Sequence, residues 1–198
     1  MSTEPQRIIV GITGATGIVY AERLLEVLKA LAIETHLIVS KAAELTRAYE
    51  SDLTHSELVA LASVVHPITD VAAPLSSGSF KTMGMIIAPA SMRSLGEIAS
   101  GVTSTLLTRA ADVVLKERRR LVLLTREAPL TLIHLRNMAT VTEAGGIIFP
   151  PVPAFYFRPT TIAELVDHTV GRVLDQFGLH VDIFPRWTAD LRDKQLKG

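Results

Sequence analysis

The sequence predicts a three-layer α/β fold, in which a parallel sheet carries helices on both faces. Short apolar, β-branched runs alternate along the chain with longer stretches of helical periodicity. Strands that are apolar along most of their length are typical of a parallel sheet that is buried on both sides. A glycine-rich turn directly after the first run supplies the strand–turn–helix unit with which Rossmann-like and flavodoxin-like folds begin.

The predicted strands and helices follow one another without a repeat or a linker. The predicted strands are Arg7–Ile12, Glu34–Val39, Val64–His66, Gly84–Ala88, Leu121–Leu124 and Gly146–Phe149. The predicted helices cover about Ile18–Leu31, Ala42–Tyr49, Thr54–Ala62, Ser91–Ser100, Leu106–Lys116, Leu130–Ala144 and Thr161–Phe177. A chain of 198 residues suits one domain, so we predict a single domain over 1–198 with a tail from about residue 186.

Composition excludes several classes of function. The chain has 20 basic and 20 acidic residues, so it lacks the basic surplus of a nucleic-acid-binding protein. It has no cysteine, which excludes disulfides, thiolate nucleophiles and zinc–cysteine sites. The six histidines show neither i, i+4 pairing nor an HExxH motif, so we expect no metal site. The polar start of the chain resembles no signal peptide, and we predict a cytoplasmic protein.

The chain is apolar for its size. Hydrophobic residues make up 48% of it, and the mean hydropathy is +0.33. No uncharged apolar run reaches the roughly 18 residues that a membrane helix needs, so we expect no membrane partner. The remaining explanation is surface that becomes buried between subunits, and we therefore predict a homo-oligomer.

Polar or glycine residues follow four of the predicted strands. These segments are Gly14–Gly17, Ser40–Lys41, Ser91–Ser94 and Arg126–Glu127. Because the carboxyl ends of parallel strands meet at one edge of a sheet, we expect the four segments to converge there. Open α/β sheets bind their ligands at that edge.

The glycine turn predicts phosphate binding without identifying the ligand. Gly11, Gly14 and Gly17 let the backbone approach a ligand closely, and the helix that follows offers free N–H groups to a phosphate. A dinucleotide, a mononucleotide or a purely structural turn all remain open. Ser40–Lys41 stands where a dinucleotide site usually has an acidic residue, which favours a phosphate or a ribityl chain, although Ser40 also suits a simple helix cap. No tyrosine is followed four residues later by lysine, so the Tyr-x-x-x-Lys pair of short-chain dehydrogenases is absent.

Charged residues elsewhere mark further candidates. Arg109, Asp112 and Lys116 share one helix face, which suits either a phosphate-ester leaving group or an ordinary solvated surface. The segment Ser91–Ser94 opens a helix with two hydroxyls and a guanidinium, as an anion or flavin-edge site would, or as a plain capped helix would. The adjacent cation and carboxylate of Arg126–Glu127, directly after a buried strand, favour a functional role.

Taken together, these motifs resemble those of the UbiX-type flavin prenyltransferases, a family that includes subunits linked to phenolic-acid decarboxylases. The similarity extends from about Arg7 to Trp187. The matching segments are Val10–Gly17, Glu34–Leu37, Ser40–Ala43, Ser76–Phe80, Arg109–Arg118, Arg126–Leu130, His134–Leu135, Pro150–Tyr156, Arg172–Phe177 and Pro185–Trp187.

The resemblance implies an enzyme that joins the dimethylallyl group of dimethylallyl phosphate to N5 and C6 of reduced FMN, without a metal. The prenylated FMN would pass to a UbiD-type decarboxylase, and the enzyme would be a dodecamer. The implied FMN ligands are Gly14, Ala15, Thr16, Ser40, Ser91, Met92, Arg93, Ser94 and Arg126. The implied residues at the prenyl phosphate are Tyr156, Arg172 and Arg109 as binding groups, with Glu50, Lys116 and Glu127 as catalytic groups.

Physical reasoning agrees with the implied chemistry. Breaking an allylic C–O bond needs positive charge at the leaving phosphate, which Lys116, Arg126 and Arg172 supply. The C6 proton leaves to Glu127 or to the released phosphate. Family members commonly have Pro-Cys-Ser where this chain has Ala90 in place of the cysteine, and an Asp or Asn where it has Ser104–Thr105.

Two other functions compete with this interpretation. One is a non-catalytic flavin-binding accessory subunit of a decarboxylase, which would not need Lys116, Glu127 or Tyr156. The other is a relative of the flavin-dependent cysteine decarboxylases, whose Pro-x-Met-Asn segment and flap cysteine are both absent here.

Overall fold

A computed structural model describes residues 6–188, and it confirms the predicted α/β class. Its strands are β1 (Arg7–Ile12), β2 (Glu34–Val39), β3 (Val64–His66), β4 (Gly84–Ala90), β5 (Arg120–Thr125) and β6 (Ile147–Ile148). All pairs are parallel, and the strands lie in the order β3-β2-β1-β4-β5-β6. The chain order reverses between β1 and β4, which is where open α/β sheets form a ligand crevice.

Seven α-helices connect and follow these strands in the described part of the chain. They are α1 (Ile18–Ala30), α2 (Lys41–Glu50), α3 (His55–Val59), α4 (Met92–Ala99), α5 (Leu106–Lys116), α6 (Leu132–Glu143) and α7 (Ile162–Asp175). Each of them except α1 begins after a serine or threonine whose hydroxyl accepts a first-turn N–H group. Helix α1 begins after Gly17, which has no side chain to offer.

The four inner strands of the sheet are buried on both faces, as their uninterrupted apolar sequences predict. Alternate residues such as Ile9, Ile87 and Leu123 belong to a buried cluster with side chains of α4 and α5. The intervening residues, such as Val10 and Ile86, are fully buried on the other side of the strands. The core therefore fixes the strand ends, and with them the loops that follow.

Strand β4 runs two residues further than its sequence predicts, because its last residues find backbone partners. Ala90 pairs with Thr125 of β5 after a register shift that begins at Ile87. The carbonyl of Pro89 accepts the N–H of Thr13, at 3.2 Å. Proline removes one donor from the ladder, but its carbonyl still serves as an acceptor.

The chain divides into two compact units, Met1–Pro151 and Val152–Gly198. A single domain over 1–198 remains a prediction from the sequence. The first unit contains the whole sheet and helices α1–α6. The second contains α7 and the segment after it. Among the described residues, no helix has both the length and the hydrophobicity needed to cross a lipid bilayer.

A histidine pair, with His36 buried and His66 half-buried, joins β2 to the end of β3. His36, which is 4% exposed, lies with its Nδ1 2.9 Å from Nε2 of His66. Its other ring nitrogen lies 2.9 Å from Glu34, whose carboxylate also binds Arg7. Burial and the neighbouring His36 lower the pKa of His66 below its ordinary value, and Asp70 only partly offsets this.

We expect the His66→Gln variant to show a weaker pH dependence of stability than the parent between about pH 7 and pH 5. The unfolded chain binds a proton on His66 more readily than the folded one, so this histidine stabilises the fold above its unfolded pKa of 6.5 and less as the pH falls. Urea unfolding at several pH values measures the effect. His180→Gln is the control because that side chain is 79% exposed. Equal pH dependence in His66→Gln and the parent would contradict this account.

Candidate functional site

A cavity of about 510 Å³ lies at the carboxyl edge of the sheet, within the first compact unit. Residues from the ends of β1, β2, β4 and β5 line it together with residues of α4 and α5. The lining residues are Thr13, Gly14, Ser40, Lys41, Ala42, Ile68, Ser91, Met92, Arg93, Ser94, Glu97, Thr105, Leu107, Thr108 and Glu127. Residues from all four predicted segments therefore contribute to one cavity.

Thr13 fixes the relation between the glycine turn and α4. It is 2% exposed, and its hydroxyl donates to the carbonyl of Pro89 at 2.8 Å. The same oxygen accepts the N–H of Ser91 at 2.7 Å. Sequence reasoning missed this residue. Its position between two glycines at a strand end was the available signal.

Two helix N-termini open onto the cavity. Ser40 caps α2 by accepting the N–H of Ala43 at 3.1 Å, and Ser91 caps α4 by accepting the N–H of Ser94 at 3.3 Å. A helix leaves its first N–H groups without intrahelical partners and carries partial positive charge there. The two starts together favour a ligand with a negatively charged group.

Gly14 lets α2 approach the glycine turn. A Cβ atom at Gly14 would lie 2.4 Å from the Cβ of Ala42, far inside van der Waals contact. Both residues line the cavity, so the missing side chain determines how close the two walls come.

The remaining wall of the cavity is apolar with a hydroxyl pair. Ile68, Met92 and Leu107 supply the apolar surface. Thr105 and Thr108 form a capping box at the start of α5, with their hydroxyls 3.1 Å apart. Thr105 belongs to the Ser104–Thr105 pair, where the sequence departs from the motifs that it otherwise resembles.

The N-terminus of α1, expected to receive a phosphate, instead binds the side chain of Glu50. One carboxylate oxygen accepts the N–H of Gly17 at 2.8 Å and that of Ile18 at 3.1 Å. Burial opposes ionisation, but the hydrogen bonds from Thr16, Gly17 and Ile18 outweigh it and hold the pKa of Glu50 below its usual range, with a contribution from the charge of Arg126. Glu50 thus serves α1 as the cap that its own sequence lacks.

Several predicted site residues do not line the cavity. Ala15 lies in the tight turn after β1, where its N–H donates to the carbonyl of Thr13 at 2.8 Å. Thr16 and Arg126 accompany Glu50 at the start of α1.

Arg109 and Lys116 lie on the face of α5 that borders the loop 76–80. Arg109 binds Asp112 at 2.7 Å, as the i, i+3 spacing predicts, and the carbonyl of Ser76 at 3.2 Å. Lys116 pairs with the carboxylate of Glu117 and lowers the pKa of Glu117 by hydrogen bonding and by charge. The structure places neither cation in the cavity of its own chain.

Tyr156 and Arg172 lie in the second unit. The hydroxyl of Tyr156 is 2.9 Å from Nε2 of His168, a residue that sequence reasoning did not single out. The guanidinium of Arg172 is half exposed and lies 3.8 Å from Asp175. Within the described residues, no group of three or more potential ligands could hold a metal ion.

Comparisons with known proteins identify the family. The Flavoprotein family model matches residues 1–174. Flavin prenyltransferase PAD1 of Saccharomyces cerevisiae is 54% identical over 183 residues, which are 92% of this chain and 76% of the relative. Flavin prenyltransferase UbiX of Escherichia coli is 53% identical over 185 residues, which are 92% of this chain and 98% of the relative.

The chain belongs to the UbiX family of flavin prenyltransferases. Two solved structures of the family agree with its fold. The structure of AnUbiX (PadA1) in complex with FMN and dimethylallyl pyrophosphate has a TM-score of 0.93 and 53% identity, over 94% of this chain and 99% of that one. A dodecameric FMN-dependent UbiX-like decarboxylase from Escherichia coli O157:H7 has a TM-score of 0.91 and 47% identity, over 93% and 100%. The resemblance that the sequence motifs indicate is therefore confirmed.

We expect Gly14→Ala to weaken FMN binding at least about tenfold, because overpacking between Gly14 and Ala42 would displace the start of α2. Flavin fluorescence titration of the purified protein measures the affinity. Gly96→Ala is the matched control, since a Cβ there meets only the amide nitrogen of Asn137 at 3.4 Å. Unchanged affinity in Gly14→Ala would show that the approach of these two walls does not matter for the flavin.

Proposed function

We propose that this flavin prenyltransferase transfers a dimethylallyl group from dimethylallyl phosphate to N5 and C6 of reduced FMN. One observation carries the proposal: a single cavity combines two helix N-termini with an apolar wall, in a chain of the UbiX family. Phosphate needs the first feature and an isoalloxazine ring needs the second. Reduced FMN supplies the two nucleophilic ring positions, and the protein supplies binding, orientation and charge.

The cavity fits FMN. Its volume of about 510 Å³ lies within the roughly 300–1,000 Å³ of small-molecule sites. The starts of α2 and α4, together with Lys41 at the first position of α2, suit the phosphate. Ile68, Met92 and Leu107 suit the ring. The FMN ligands proposed on this basis are Gly14, Ser40, Ser91, Met92, Arg93 and Ser94, with Ala15, Thr16 and Arg126 proposed on the family motifs alone.

Arg93 contributes less charge to this site than its position in the motif implies. Its side chain is 83% exposed and binds Glu97 at 2.9 Å, so the ion pair neutralises much of its charge. The backbone N–H groups of the two helices are therefore the main anion ligands in this proposal.

The prenyl donor needs positive charge around its phosphate. As the allylic C–O bond breaks, its electron pair stays on the phosphate oxygen, and Lys116, Arg126 and Arg172 stabilise that charge without a metal. We propose Arg109 and Tyr156 as further ligands of the donor, and Glu127, at the cavity wall, as a proton acceptor. Glu50 stays ionised because of its hydrogen bonds, and we propose that it orients Thr16 and Arg126.

We propose that the working site is shared between subunits of a homo-oligomer, as a dodecamer. Helix α6 exposes Leu132, Ile133 and Leu135, with exposed fractions of 60%, 68% and 49%. Such a row of large apolar side chains marks a surface that a second copy covers. A neighbouring copy then supplies the Arg109–Lys116 face that the chain does not bring to its own cavity.

The product requires an acceptor. We propose that the prenylated FMN is handed to a UbiD-type decarboxylase, since a modified flavin made from a free flavin and a free prenyl donor serves as another enzyme's cofactor.

We also propose a cytoplasmic location. The chain has no cysteine, so it forms no disulfide that would require an oxidising compartment.

Anaerobic incubation with reduced FMN and dimethylallyl phosphate, followed by mass spectrometry of the released flavin, tests the proposed reaction. We expect the flavin to gain one C5H8 unit. Parallel incubation with dimethylallyl pyrophosphate decides between the two donors. If the flavin gains no mass with either donor, the protein is a flavin-binding accessory subunit instead.

Mixing of inactive variants tests the shared site. We expect Lys116→Ala and Arg172→Ala each to retain FMN and to lose prenylation by about 10²- to 10³-fold, because each removes a charge from the leaving phosphate. When the two variants are co-expressed with different tags and isolated together, some sites hold both native residues, and part of the activity returns. The same two variants purified separately and mixed without subunit exchange are the control. A co-assembled sample that stays inactive would contradict a site in which Lys116 and Arg172 come from different subunits.

A further inference from the structure

We propose that His168 is a positioning residue that directs the hydroxyl of Tyr156 by donating its Nε2–H to the phenolic oxygen. The inference rests on the proposed function, in which Tyr156 binds the phosphate of the prenyl donor. Its basis is the 2.9 Å separation between the phenolic oxygen and Nε2 of His168.

Aromatic neighbours hold the imidazole in one orientation. Phe157 stacks on it, with ring centroids 5.1 Å apart and an interplanar angle of 17°. Phe184 meets it edge to face, at 5.0 Å. A ring held on two sides presents Nε2 to the phenol in a fixed direction.

Phe184, in the segment after α7, packs against that helix at Gly171. A Cβ atom at Gly171 would lie 2.2 Å from Cε1 of Phe184, so the ring occupies the space that a side chain would fill. Arg186 lies over the same ring, 4.7 Å from its centroid. Its guanidinium also makes a two-pronged ion pair with Asp175, with hydrogen bonds of 2.9 and 2.8 Å.

Trp187 meets the Tyr156 ring edge to face, at 5.3 Å between ring centroids. Rings 156, 157, 168, 184 and 187 therefore form one aromatic cluster, which we call the tyrosine cluster. It positions the phenol ring, and the imidazole then decides the direction of the O–H bond.

The direction of that bond matters because the phenol has only one proton to donate. A phenol has one proton to donate and can also accept, whereas a phosphate dianion has no proton to give. If Nε2 of His168 carries the hydrogen, the phenol oxygen accepts from it and its own proton points to another acceptor. If Nδ1 carries the hydrogen, Nε2 takes the phenol proton instead. Binding of a phosphate oxygen by Tyr156 thus selects the Nε2–H form of His168.

The charge around His168 favours its neutral state. Burial, and then the positive charge of Arg172 one helical turn away, lower the pKa of His168 below its ordinary value. Arg172 is also a proposed ligand of the donor phosphate. One cation therefore binds the phosphate and keeps the imidazole uncharged, so the imidazole acts as an orienting donor and adds no charge of its own.

The kinetic constants of His168→Phe test the inference. The phenyl ring preserves stacking and removes the hydrogen bond, so we expect the KM for dimethylallyl phosphate to rise about 3- to 10-fold. The affinity for FMN and kcat should stay near the parent values. His168→Gln places an amide N–H at a similar reach, so its KM should lie much closer to the parent value than that of His168→Phe.

Comparison in the Tyr156→Phe background separates orientation from packing. With no hydroxyl to direct, His168→Phe should change KM no further. If His168→Phe raises KM by the same factor with and without the Tyr156 hydroxyl, His168 has only a structural role. An unchanged KM in His168→Phe with the native Tyr156 would also overturn the inference.

Trp187 is the one tryptophan of the chain, and its emission in FMN-free protein reports on the tyrosine cluster. Unchanged emission in His168→Phe shows that the cluster is intact. If that variant does not assemble, His168→Asn, whose shorter amide does not reach the phenol, replaces it, and the same rise in KM is expected. A parent protein that prenylates no flavin contradicts the proposed function. An active parent whose His168 variants keep the parent KM contradicts only the role of His168.

Discussion

The buried hydroxyl of Thr13 is the interaction on which the cavity depends. It links the turn after β1, the carbonyl of Pro89 and the first N–H before α4. These groups lie at or directly after the carboxyl ends of β1 and β4, the two strands between which the chain order reverses. A hydroxyl that donates once and accepts once binds two backbone groups with a single side chain. This link therefore sets the distance between the glycine turn and the start of α4, which both line the cavity.

Hydrophobic periodicity and helix caps made most of the fold predictable from sequence. The bounds of β1, β2, β3 and α5 coincide with the predicted ones because local patterns set them. Ser40 and Ser91 were recognisable as caps for the same reason. The end of β4 was not predictable, since its last residues depend on Thr13 and Thr125, which are distant in the chain.

The site was predictable in residue type more than in arrangement. Strand-end positions identified Gly14, Ser40 and Ser91, and all three line one cavity. No periodicity in the sequence connects Glu50 with Gly17, or His168 with Tyr156, because these contacts arise from the way separate segments fold back on one another. The placement of Lys116 away from the cavity of its own chain is likewise a tertiary result, because the side chain pairs with Glu117 on a face of α5 that does not line the cavity.

The carboxylate of Glu50 at the start of α1 has a consequence for ligand selectivity. In dinucleotide-binding proteins the first helix of the sheet receives a pyrophosphate, so its N-terminus must be free of other anions. Here a side chain that stays ionised already accepts two of those N–H groups. A second anion there would meet electrostatic repulsion and would find its donors taken. In this fold a carboxylate of the chain itself therefore occupies the anion position at the start of the first helix, where a dinucleotide-binding fold receives its pyrophosphate.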